Sequence, residues 1–379
     1  MRAPFGLLVS ALIAVATPAP LSAQAAAARP ESCAAAADFP RLVACLSEPG
    51  GYFDTDNLIS NERSYLHVLG PLRRLGVRGG AYIGVGPDQN FSYIARIRPT
   101  VAFVVDIRRD NLLQHLMFKA LFARSRNRAE YLALLLGRPV PPDVQRWSAR
   151  PVVALVAYAD STPATDASAA SARRVVLEEV KRSGVALSAA DLATIERFHS
   201  AFIQAGLGLQ FSSAGRTPRP YYPTLRQLVL ERDLDGDQAS YLASEADFQF
   251  VKALQRRGLV VPVVGNLAGD HALPTIGRFL RQRGERVSAF YTSNVEDYLM
   301  RDGSFARYAR TVTELPRTRN SVIIRSYFGG GFRGAHPQAV PGYFSTQLLQ
   351  SLDAFAARQA RGGYASYRDL VMADAMPVD

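Results

Sequence analysis

Apolar and polar positions along this chain alternate in two blocks, separated by a long helical stretch. In the first block Gly80 to Val85 is a short apolar run, followed by a Gly/Pro turn and a helical pattern from Gln89 to Arg98. Pro99 ends that helix. Val101 to Asp106 is valine-rich, the pattern of a strand buried on both faces, and Asn111 to Ala123 is amphipathic at helical spacing. Strand, turn, helix and strand in that order predict a βαβ unit and a parallel sheet. The second block predicts helices at Ser240–Arg257, Leu273–Arg283 and Val295–Val312, alternating with strands at Leu259–Val264, Val287–Tyr291 and Ser321–Tyr327.

Two helical segments, Asp38–Ser47 and Asn61–Leu75, precede the first strand, the second capped by Ser60 after a polar loop from Asp54. Residues 126 to 240 are poor in strand signals. Ala129–Leu136, Ala172–Arg182 and Ser188–Ala205 read as helices, Ser161–Ser171 as a small, polar loop and Leu207–Ser212 as a strand. After a Gly329-Gly330-Gly331 turn, two more helices are expected. The fold class is therefore α/β: a Rossmann-like, mainly parallel sheet flanked by helices. Its core spans 80–330, with a helical extension over 24–79, a helical insertion at about 126–240 and a helical tail over 331–379.

The first residues add a compartment. Arg2, the apolar run Leu7–Ala16, the breakers Pro18 and Pro20, and the small residues Leu21-Ser22-Ala23 predict a signal peptide over 1–23 and an exported, periplasmic or secreted protein. An apolar run of about ten residues is short of the roughly 20 that span a bilayer. No later run reaches that length, so no transmembrane segment is expected in the mature chain. Cys33 and Cys45 follow closely; in an oxidising compartment they form a disulfide, or else remain two buried thiols. The net charge of +11 changes less than it first suggests: only three of the 44 basic residues are lysine, and the arginines lie scattered in pairs. Nucleic acid is not the expected partner. Peripheral contact with anionic envelope components is compatible with such a surface.

The chemistry concentrates at Tyr82-Ile-Gly84-Val-Gly86-Pro-Asp88-Gln89-Asn90, where a strand ends and a helix begins. Glycines there allow a tight turn and close approach of a ligand to backbone N–H groups. Asp106 ends the next strand, 20 residues beyond Gly86, where a carboxylate can accept hydrogen bonds from ribose hydroxyls. Ligands of open parallel sheets bind beyond the carboxyl ends of the strands. That rule adds Asn266 and Asp270, Ser293 and Asn294, and Arg325 and Tyr327, each of which would serve equally as a cap or turn residue. The candidate cofactor-binding set is Gly84, Gly86, Asp88, Asn90, Asp106, Asn266, Ser293 and Asn294; no catalytic residue is singled out.

The glycine turn together with Val104-Val-Asp106 resembles the first two motifs of class I S-adenosylmethionine-dependent methyltransferases. Asn57-Leu-Ile-Ser-Asn-Glu62, Gly84-Val-Gly-Pro-Asp-Gln-Asn-Phe-Ser-Tyr93 and Asp106-Ile-Arg-Arg-Asp-Asn-Leu-Leu-Gln-His115 are similar to an uncharacterised bacterial family with that fold. Tyr241-Leu-Ala-Ser-Glu245 through Val263-Val-Gly-Asn266 and Tyr291-Thr-Ser-Asn-Val-Glu-Asp-Tyr-Leu299 belong to the same resemblance. It implies a methyltransferase-like protein binding adenosylmethionine or a related nucleoside-type ligand. The alternative is a non-catalytic exported protein that keeps the fold and binds a cell-envelope partner. Two positions depart from the methyltransferase pattern: Tyr82 stands where an acid is usual, and Asp88 where a small residue is.

Other motifs fall short. Asp233-Leu-Asp235-Gly-Asp237 begins like a calcium loop, but its glycine is fourth rather than sixth and Ser244 holds the place of the required glutamate. The five histidines are too far apart for paired metal-ligand spacing, so no metal is predicted, and His115 reads as a core residue. No Gly-x-Ser-x-Gly elbow is present.

Overall fold

The computed structural model describes residues 33–378 apart from 37, 56, 214–216 and 330–333. The predicted signal segment, most of the Ala-rich stretch to residue 34, and Gly330 and Gly331 lie outside the described residues. Ser32–Asp379 form one compact unit.

A six-stranded sheet runs through that unit in the order β3-β2-β1-β4-β5-β6. The strands are β1 (Ala81–Gly84), β2 (Val101–Asp106), β3 (Val260–Val264), β4 (Val287–Ser293), β5 (Arg317–Phe328) and β6 (Ser345–Ser351). The first five are parallel to their neighbours, and β6 returns antiparallel to β5. The chain thus winds one way from β1 through β2 to β3, then crosses back to β4, and the α/β, Rossmann-like architecture stands. Burial explains the valine-rich strands: every residue of β1 and β3 is buried, because helices cover both faces. Cys33 and Cys45 are joined by a disulfide that ties a short 3-10 turn to the helix Phe39–Leu46.

Several expected elements differ, each for a local reason. The predicted helix Asn61–Leu75 is a 3-10 turn (Arg63–Leu66) and a short helix (Leu69–Arg74). Pro71 has no N–H to continue a ladder from the preceding residues, so it sits in a new first turn. The expected loop Ser161–Ser171 is mostly helix: Asp166–Lys181 begins there, opened by a capping box between Thr165 and Ser168. The helix Val152–Ser161 before it escaped the pattern. Among the described residues Leu207–Ser212 joins no sheet and contributes one isolated bridge, Gln210 to Thr224. The helix predicted from Ser240 starts at Glu245 behind its cap Ser244. Val295–Val312 breaks into Val295–Arg301 and Phe305–Thr313 at Gly303, whose φ is +78°. The tail is not wholly helical, because β6 precedes its two helices, Leu352–Ala360 and Tyr367–Met372. Its sequence Ser-Thr-Gln-Leu-Leu-Gln-Ser reads as polar, yet all but the last of these residues are buried.

No helix among the described residues is long and apolar enough to cross a membrane.

Candidate functional site

The carboxyl ends of β1, β2, β3 and β4 open onto a cavity of about 500 Å³. It lies where the strand order reverses, between β1 and β4, the place where open α/β sheets leave a crevice. Tyr52 and Phe53 from the N-terminal segment and Tyr298 from the helix Val295–Arg301 also line it, alongside Arg301 and Asp302. Tyr52 is 82% exposed, Phe53 and Tyr298 meet edge to face at 5.0 Å, and the Arg301 guanidinium lies over the Tyr298 ring.

The two glycines of the turn do different work. Gly84 ends β1 facing inward: a Cβ there would lie 2.0 Å from Asn90 Oδ1 and 2.6 Å from the Tyr82 hydroxyl. Its requirement is internal fit. Gly86 lines the cavity and has φ +81°, a left-handed conformation that favours glycine. Asn90 closes the turn from behind, donating through Nδ2 to the carbonyls of Val85 at 2.9 Å and Pro87 at 2.7 Å. Its Oδ1 accepts from the Tyr82 hydroxyl at 2.7 Å. The Gly86 carbonyl is drawn inward too, accepting from Asn111 Nδ2 at 3.0 Å and bonded to His115 Nε2 at 2.9 Å. Burial pushes the His115 imidazole down to about 4, so it is a neutral core donor near neutral pH.

Asp88 and Asn90 therefore stand behind the turn and not among the cavity-lining residues. Asp88 accepts from the Tyr241 hydroxyl at 3.1 Å, and burial raises its carboxyl to about 6. Asp106 does line the cavity, but Arg108 grips it. The Arg108 backbone N–H (2.8 Å) and Nε (3.1 Å) donate to Oδ1, and a terminal guanidinium nitrogen donates to Oδ2 at 2.8 Å. Another donates to the Thr55 carbonyl, anchoring the N-terminal segment. A carboxylate oxygen accepts about two hydrogen bonds, so Oδ2 keeps room for one more donor from the cavity.

Asn266, after β3, lines the cavity with its Oδ1 already accepting from Ala268 N at 2.9 Å, while its own N–H donates to Glu48. Arg325 is fully buried and pairs with Glu296, away from the cavity lining. Arg109 is committed to Asp191 at 2.8 Å. Asn294 occupies the N-cap position of the helix Val295–Arg301 without a side-chain cap bond. Ser293, just before it, has φ +53°, an unusual conformation for a residue with a Cβ.

The Ser293 hydroxyl leads to the residue sequence reasoning did not single out. It donates to Glu62, whose side chain lines the same cavity although Glu62 is only 1% exposed. Glu62 also accepts from the Tyr291 hydroxyl at 2.6 Å and from Gln347 Nε2 at 3.1 Å. All these partners are neutral, and burial raises the carboxyl above its ordinary range in spite of them. Tyr291 in turn accepts from Gln89 Nε2 at 3.2 Å. Gln89 Oε1 and Thr55 Oγ1, both in cavity-lining residues, have no hydrogen-bond partner among the described residues. Glu62 closes the block Asn57–Glu62 in the sequence resemblance, the only signal that could have pointed to it.

Among the described residues, no cluster of three or more histidine, cysteine or acidic side chains is placed to hold a metal ion. No curated protein matches the chain. The family described as Domain of unknown function (DUF7790) matches residues 58–138 and 199–378, passing over part of the helical insertion. With more than half its length matched, on both sides of that insertion and through every strand of the sheet, the chain belongs to this family.

Proposed function

We propose that the crevice between β1 and β4 binds S-adenosylmethionine or a related nucleoside-type ligand, making this an exported methyltransferase-like protein. The observation that carries the reading is the meeting, in one cavity, of the positive-φ Gly86 after β1 and the Asp106 carboxylate after β2. A volume of about 500 Å³ lies in the range of small-molecule sites. Gly86 lets a ligand approach the backbone, and Asp106 Oδ2 has room for one ribose hydroxyl. The rings of Tyr52, Phe53 and Tyr298 offer faces on which a base can stack. Tyr82 does not replace the acid that methyltransferases usually carry there, since its hydroxyl is spent on Asn90.

Bound adenosylmethionine would supply an electrophilic methyl group; the residues of this chain would hold and orient the two reactants and exclude water. Calorimetric titration of the purified protein with adenosylmethionine and adenosylhomocysteine tests the proposal. Saturable heat below millimolar concentration is expected for at least one of them. Silence from both near one millimolar would leave the alternative, a protein that keeps the fold and binds an envelope partner.

A further inference from the structure

The charged groups that line the cavity are Glu62, Asp106, Arg108, Arg301 and Asp302. Asp106 is paired with Arg108, and Arg301 with Asp297. Asp302 is exposed at the mouth and accepts from the backbone and hydroxyl of Ser304. Glu62 is a buried carboxyl facing the cavity with no cation beside it among the described residues. Two further cavity-side oxygens find no partner among the described residues: Gln89 Oε1, on a side chain whose Nε2 is fixed by Tyr291, and Thr55 Oγ1. Buried acceptors left unsatisfied are costly, and a buried charge costs more, unless something in the cavity meets them.

We infer that the β4 side of this cavity is a subsite for an organic cation, an ammonium or sulfonium group, with Glu62 as its counter-charge. An ammonium can donate to the Glu62 carboxylate and to Gln89 Oε1 together. Ser293 and Tyr291 hold the carboxylate by donating to it, and the left-handed backbone at Ser293 brings its hydroxyl to Glu62. Because β2 and β4 flank β1, Asp106 and Ser293 end strands two spacings apart, about 10 Å. A ligand lying across β1 can therefore reach both Asp106 and Glu62. The inference rests on the preceding reading only in taking this cavity as the ligand site.

The titratable groups around Glu62 are Tyr82, Tyr93, Tyr291 and Tyr367, all buried and held far above the ordinary phenol range, so they stay neutral. Cation binding should accordingly strengthen as pH rises through the elevated titration of Glu62, and weaken by up to tenfold per unit below it.

Saturation-transfer NMR on the full chain, with n-butylammonium and n-butanol as a matched pair, tests this without reference to nucleosides. Butylammonium should give a saturable signal at least about fivefold stronger than butanol, falling with pH and lost in Glu62→Gln. Equal signals from the two probes, or a preference unchanged in Glu62→Gln, would overturn the inference. Should Glu62→Gln not fold, the native chain decides: its preference for butylammonium must disappear as pH falls, and a preference that stays constant with pH would overturn the inference. A null titration with adenosylhomocysteine removes the nucleoside reading and leaves this contrast to stand or fall alone.

Discussion

Residues around the glycine turn divide into those that line the cavity and those that hold the turn. Gly86, Asp106, Ser293 and Glu62 belong to the first group, and Gly84, Asn90 and His115 to the second. Asp88 belongs to the second, and its burial has a measurable consequence. Its carboxyl, raised to about 6 by desolvation, binds its proton more tightly in the folded chain than in the unfolded one. Folded-state protons then exceed unfolded-state protons between about pH 4 and 6, so this group's contribution to stability falls as pH rises through that window. Asp88→Asn removes the effect and can still accept from Tyr241. The stability of Asp88→Asn relative to the native chain, measured by urea unfolding, should rise by roughly 2–3 kcal/mol from pH 4 to pH 7. A difference that stays flat across that range would show that Asp88 is not so perturbed.

Elements were legible where pattern and burial agree. β1, β2 and β3 are apolar on both faces and announce themselves, and the spacing from Gly86 to Asp106 follows from the βαβ unit they build. β6 was illegible because its buried glutamines are satisfied by partners from elsewhere in the chain: Gln347 meets Glu62 and Tyr93, and Gln350 meets Arg325 and Tyr364. Glu62 was hidden for the same reason, since its donors come from β4 and β6, some 230 to 285 positions away along the chain. The same region holds a buried ion pair between β5 and the helix Val295–Arg301. Arg325 donates twice to Glu296, which also accepts from Tyr308 at 3.0 Å. Arg325→Met would leave Glu296 buried without its cation and should cost about 3–5 kcal/mol in chemical denaturation. Adding Glu296→Gln should recover a large part of that loss. A single variant within 1 kcal/mol of the native chain would contradict the account of this contact.

At the scale of the whole molecule, the sheet order places a crevice at the carboxyl end of β1, and Tyr52, Phe53, Thr55 and Glu62 of the N-terminal segment form part of its wall. In the sequence reading that segment belongs to the helical extension over 24–79. Arg108 binds it through the Thr55 carbonyl, and it delivers Glu62 to the cavity. The family shared with other chains spans residues 58–138 and 199–378, which include both Glu62 and Asp106. If a nucleoside-type ligand lies across β1, between Asp106 and Glu62, a crystal structure of the protein grown with adenosylhomocysteine will show it most directly. Ligand density is expected over Gly86, with a ribose hydroxyl on Asp106 and the amino group on Glu62. An empty crevice at saturating ligand, or density bound elsewhere on the protein, would contradict this placement.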